Sequence, residues 1–202
     1  MNERWRQVVV AGHTGDVAVA RQALADPDPE VRALGLGALE RLGALTDDDV
    51  RTALVDDAPS VRRRAAVHAG RRPGLSLLAA LDDPDQTVVE AAAWACGEQE
   101  RVDEEVLTRL IDLTARSTEP LVREACAAAL GAIGDRRGIP AILGACTDKP
   151  AIRRRAVLAL APFDGDEVDT ALHTALDDRD WQVRQAAEDV LRASGKSLGH
   201  SL

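Results

Sequence analysis

The 202-residue sequence has no tyrosine, one phenylalanine and three tryptophans. A core made from it must be aliphatic, packed from Ala, Val, Leu and Ile. Lysine occurs only at Lys149 and Lys196, so arginine carries nearly all the positive charge. The 25 basic residues are outnumbered by 34 acidic ones, for a formal charge of −9. That balance argues against non-specific attachment to nucleic acid or anionic membrane. No apolar run reaches the roughly 18 residues a membrane helix needs, so no span is expected. The first residues, MNERWRQVVVAGHTGD, mix charged and polar groups with a very short apolar run, which does not read as a signal peptide. The three cysteines, Cys96, Cys126 and Cys146, lack metal-type spacing and read as reduced thiols, so a cytoplasmic location is expected. Abundant Ala, Arg and Asp with little Lys suits a GC-rich bacterial genome.

What the sequence does have is self-similarity. Branched apolar anchors stand at Val31, Val61, Val88, Val122, Ile152 and Val183, spaced 30, 27, 34, 30 and 31 residues apart. An arginine follows each anchor except Val88, which is followed by Val89. Four residues after the anchors come Gly35, Ala65, Ala92, Cys126, Ala156 and Ala187, and eight after them Leu39, Ala69, Cys96, Leu130, Leu160 and Leu191. Offsets of four and eight put all three positions on one helix face. Ahead of most anchors sits an acidic turn, as in Asp26-Pro27-Asp28-Pro29 or Asp82-Asp83-Pro84-Asp85. Asp there caps the coming helix and Pro suits its first turn. A shorter amphipathic run precedes each turn. Each repeat therefore reads as helix A, an acidic turn and helix B.

Asp followed by Val-Arg, an Ala-rich helix and Leu-Gly resembles the HEAT repeat, and more narrowly the short HEAT-like form also found in phycobilisome-lyase-type proteins. The resemblance covers roughly residues 16 to 193 and departs from the family at Val89 and at Gly35 and Gly37 inside a B helix. It implies an all-α fold: a right-handed αα superhelix, or solenoid, of about six helix pairs. Residues 2 to 11 are expected to form a capping helix broken by Gly12 and Gly15, with residues 1–193 one domain and 194–202 a disordered tail.

The sequence offers little for catalysis. His13, His68, His173 and His200 precede Thr14, Ala69, Thr174 and Ser201, so the His-Glu pairs by which deoxyhypusine-type hydroxylases hold iron are absent. No nucleophile elbow, phosphate loop or Cys-x-x-Cys occurs. Neither an enzymatic activity nor a metal or other cofactor is expected. The acidic clusters Asp47-Asp48-Asp49 and Asp103-Glu104-Glu105 fall where A helices begin, where carboxylates satisfy free N–H groups. The arginine after each anchor is expected to bond an Asp of an adjacent turn.

The outer edge of the B helices is the candidate site. Six residues after the anchors come Gly37, Val67, Trp94, Ala128, Leu158 and Asp189, and Arg63-Arg64 and Arg154-Arg155 occupy the second and third positions of two repeats. Trp and Arg are the residues most enriched at binding hot spots. The favoured function is a protein-binding scaffold whose concave groove uses Trp94 as anchor, Arg63, Arg64, Arg154 and Arg155 as readers of acidic groups, and Leu158 as apolar wall. Its partner is another protein or peptide. Packing of Trp94 into the core is the alternative placement. Trp5 and Trp181 are expected to cover the two ends of the stack. Nucleic-acid binding, as in HEAT-like DNA-alkylation-repair glycosylases, is the second functional reading, and a lyase or chaperone for a bilin-like chromophore the third.

Overall fold

The structure, a computed structural model, describes residues 3–195. The expected tail lies outside the described residues from residue 196 onward. Thirteen α-helices and one 3₁₀ turn account for the regular structure, with no strand among the described residues. After α1 (Glu3–Thr14) come six A/B pairs: α2 (Val17–Ala23) with α3 (Pro29–Arg41), α4 (Asp47–Ala53) with α5 (Pro59–Ala69), α6 (Leu78–Leu81) with α7 (Gln86–Glu98), α8 (Glu104–Arg116) with α9 (Pro120–Ile133), α10 (Ile139–Ala145) with α11 (Pro150–Ala159), and α12 (Asp166–Leu176) with α13 (Trp181–Ala193).

The helix starts follow from local chemistry. Pro29, Pro59, Pro120 and Pro150 open four B helices, where the missing N–H costs nothing. The carboxylates of Asp28 and Asp180 accept from the amides of Glu30 and Gln182. Thr46 and Asp49 form a reciprocal capping box on α4. Within the acidic clusters, Asp49 is spent on a helix start, whereas Asp103 makes no side-chain cap bond.

The chain packs as two compact units, Met1–Ala95 and Cys96–Leu202. In the first, α1 lies on α2 and α3, α3 packs on α5, and α4 packs on α5. In the second, the B helices α9, α11 and α13 lie side by side in a row, with α8 and α12 against α9 and α13. The periodic positions form the core: no apolar side chain at the anchor, anchor-plus-four or anchor-plus-eight position is more than 2% exposed. The small middle residues let neighbouring helices close up. A Cβ on Gly131 would lie 2.7 Å from the Cα of Ala159, so α9 and α11 touch almost backbone to backbone there.

One boundary differs from expectation. Gly12 does not break α1, which runs on to Thr14 and ends at Gly15, whose φ of 89° L side chains rarely adopt. Gly12 is a packing residue instead, since a Cβ there would come within 3.1 Å of the Ala38 side chain on α3. Trp5 covers the first repeat as expected. Its ring packs against the cluster of Val8, Ala20, Val31 and Leu39, and its indole N–H donates to Asp28 at 2.9 Å.

A ladder of arginines ties repeat to repeat. Arg32 grips both oxygens of Asp56 in the next turn (2.8 and 2.6 Å), and its other amino group donates to the Asp26 carbonyl of its own turn. Arg62 does the same with Asp83 and the Asp56 carbonyl. In the second unit Arg123 takes Asp148 and Arg153 takes Asp178. Arg184, in the sixth repeat, makes carbonyl bonds to Asp178 and Arg179 and no carboxylate pair among the described residues. Arg32, Arg62, Arg123 and Arg153 thus each join their own turn to the next by charge-assisted bonds, a bidentate geometry lysine cannot reproduce. The guanidinium of Arg62 holds the Asp83 carboxyl below the usual carboxylate range, as Arg123 does for Asp148 and Arg153 for Asp178. At Asp56 burial pulls the other way, yet Arg32 and the Ala58 amide still leave the carboxyl lowered.

Two positions of the repeat pattern lack the ladder residue. Val89 replaces the arginine, and Ser117 stands five residues before Val122, where Asp26, Asp56, Asp83 and Asp178 stand before their anchors.

Candidate functional site

Residues two and six after each anchor are four apart and share one face of a B helix. That face is buried at Ala33, half-buried at Ala128 and Leu158, and exposed at Arg63 and Arg154. In the first unit Val67 is 52% and Trp94 is 44% exposed, while Ala93 and Ala95 on either side of Trp94 are buried. The indole is therefore a surface group, not a core one. Gly37, earlier on the same edge, has open space around it.

Arg63 and Arg64 are both exposed and make no ion pair among the described residues. They line a groove of about 550 Å³ with Val67 on α5, Ala33 on α3 and Thr87 at the start of α7. Glu30 and Asp85 also line it, and the Asp85 carboxylate accepts from the Thr87 amide and hydroxyl (2.9 and 2.6 Å). Trp94 lies seven residues past Thr87, about 10 Å further along α7. Arg63, Arg64 and Val67 are thus brought together, and Trp94 stands further along the neighbouring helix.

The second unit repeats the theme with different residues. Arg154 and Leu158, one turn apart on α11, line a smaller groove of about 230 Å³ facing α13. The three consecutive arginines have three fates. Arg153 is in the ladder and only 6% exposed. Arg155 is half-buried, 3.6 Å from Glu124. Arg154 is exposed and has no ion pair among the described residues.

The far wall of this groove includes Trp181, which is 64% exposed and does not bury itself as an end cover. A signal for it was available: Trp181, Gln185 and Asp189 are spaced by four and share the outward edge. The two grooves belong to different compact units, and each stands as a site by itself.

A third hollow, of about 300 Å³, lies between the first two repeats, with Leu24, Leu36, Ala53 and Val61 as its apolar lining. The Arg21–Asp49 and Arg32–Asp56 pairs sit at it, each charge answered by its partner. Among the described residues no three His, Cys, Asp or Glu side chains gather as a metal site would need. Cys96 and Cys126 are buried, and burial pushes the Cys96 thiol up to about 12 and the Cys146 thiol up to about 11. These are inert thiols, not nucleophiles.

Stacked A/B pairs, an arginine ladder inside and an exposed B-helix edge define an α-helical repeat scaffold. The chain belongs to the HEAT repeat family: the model for HEAT repeats matches residues 75–161 and 107–192, together more than half of the sequence. The fold is shared with YibA of Escherichia coli (20% identity, TM-score 0.63, 95% of this chain and 75% of that one). It is shared also with an engineered protein (20% identity, TM-score 0.61, 92% and 99%) and a designed armadillo repeat protein (16% identity, TM-score 0.59, 89% and 98%). At these identities the likeness concerns the fold alone. A search of curated proteins found no significant match. No helix among the described residues is long and apolar enough to cross a membrane.

Proposed function

We propose that this chain is a non-enzymatic scaffold that binds a segment of another protein along the outward edge of its B helices. The observation that carries this is Trp94, a large aromatic 44% exposed on a helix whose flanking residues are buried. Tryptophan supplies much contact area at small entropic cost, which is why it dominates binding hot spots. Arg63 and Arg64 make no ion pair among the described residues although Glu30 and Asp85 share their groove, and two exposed guanidiniums side by side favour a partner with acidic residues beside an apolar one.

The test is selection of displayed random peptides on the wild-type protein, followed by binding to Trp94→Ala and to Arg63→Glu/Arg64→Glu. The expected result is a family of peptides rich in Asp or Glu with an apolar residue, bound poorly by both variants. Peptides held equally by wild type and both variants overturn the assignment. Loss of binding after nuclease treatment points instead to nucleic acid on the arginines.

A further inference from the structure

The groove between α11 and α13 carries a second inference, which rests on the reading of the chain as a peptide-binding scaffold but concerns a different unit. We propose that this groove is a recognition pocket for an apolar side chain adjacent to an acidic one, with Trp181 and Leu158 holding the first and Arg154 the second.

Three observations converge. Trp181, at the first position of α13, is 64% exposed although its neighbour Val183 is 1% exposed. Its helix start is capped by the Asp180 carboxylate, not by the indole. Leu158 and Ala186 share the groove with it and give an apolar floor.

The charge pattern then selects the ligand. Asp189 sits at the groove but is engaged by the Gln185 amide at 3.0 Å and by Arg192 at 3.3 Å. Arg155 is drawn to Glu124. The one guanidinium lining the groove is Arg154, and no carboxylate pairs with it among the described residues. An acidic group completes the charge balance, whereas a basic one meets an unanswered cation. The volume, about 230 Å³, is below the 300–1,000 Å³ of drug-sized sites and suits one side chain with its neighbouring group.

The assay uses the three indole N–H signals of the full chain in ¹⁵N NMR, assigned with Trp→Phe variants. Trp5 is tied to Asp28 and serves as internal reference. The probes are acetyl-Gly-Leu-Asp-Glu-Leu-Gly-amide and the same peptide with Lys-Arg in place of Asp-Glu. The expected result is a saturable shift of the Trp181 signal with the acidic peptide, weakened about tenfold in Arg154→Glu and absent with the basic peptide. A Trp181 signal unmoved by the acidic peptide, or moved alike by both, overturns the pocket. Trp94 reports the first unit separately. Movement of Trp94 with Trp181 silent defeats this proposal and leaves the wider reading standing. Movement of Trp181 with Trp94 silent upholds the pocket and counts against the Trp94 anchor.

Discussion

Removing Arg62 from the ladder should cost far more than removing a surface charge. Arg62 binds both oxygens of Asp83 at 2.6 and 2.9 Å and donates to the carbonyls of Asp56 and Asp57 at 2.8 and 3.0 Å. The two side chains are only 14% and 6% exposed. In Arg62→Met the Asp83 carboxylate stays in place with the Asp85 amide but without its counter-charge. An exposed pair is worth up to about 1 kcal/mol and a fully buried one, broken on one side, about 3–5 kcal/mol. This pair is partly buried, so a loss of about 3 kcal/mol is expected. At a urea slope of about 1–3 kcal/mol per M, the unfolding midpoint falls by about 1 M or more. Arg62→Val/Asp83→Ser copies what the sequence has at Val89 and Ser117 and should cost clearly less than the sum of its single changes, with a coupling of about 1–3 kcal/mol. Urea titrations followed by circular dichroism measure wild type, Arg62→Met, the double variant and its two single variants. A loss below about 1 kcal/mol in Arg62→Met, or strict additivity in the double variant, refutes the ladder's role.

Two glycines should respond in opposite directions. Gly131→Ala forces a Cβ into the Ala159 backbone and should destabilise by about 1–3 kcal/mol, whereas Gly37→Ala meets nothing within 4 Å and should gain up to about 1 kcal/mol in thermal or urea unfolding. Acid should lower stability in two stages. Burial depresses the ring pKa of His68, which faces Glu40, Arg64, Arg71 and Arg72. Its contribution is complete above about pH 6.5 and is lost as pH falls toward the depressed value. Asp83, Asp148 and Asp178 are also depressed, so their contribution is complete above about pH 4 and is lost below it. His68→Gln should flatten only the upper stage of a stability–pH profile. The cysteines should react with Ellman's reagent far more slowly in the folded protein than in urea, because thiols pushed up to about 12 and about 11 hold very little thiolate at neutral pH.

Much of the fold was legible because a four-residue spacing on a helix leaves one geometric reading. Val122, Cys126 and Leu130 had to share a face, and that face had to be buried. The arginine ladder was legible for a similar reason: a charge next to a core anchor needs a partner, and the acidic turns offered one. Gly12 misled, because propensity in isolation favours a break while tertiary packing against Ala38 holds it in the helix. The site was half legible. Spacing put Trp94 and Leu158 on one edge but left Trp94 open between the groove and the core, and the structure exposes it. The separate fates of Arg153, Arg154 and Arg155 did not, since they depend on Asp178 and Glu124 reaching across from other helices. Trp181 had the right spacing but stood at a chain-terminal repeat, where a covering role looked more natural than an exposed one.

The most direct test of the recognition edge isolates Trp94 as the sole fluorophore, in Trp5→Phe/Trp181→Phe protein, and titrates it with the best peptide from the selection. The account requires a saturable blue shift of Trp94 emission, and at least about 30-fold weaker binding when Trp94→Ala is measured with a labelled copy of the same peptide. Full-affinity binding of that peptide with Trp94 emission unmoved contradicts it.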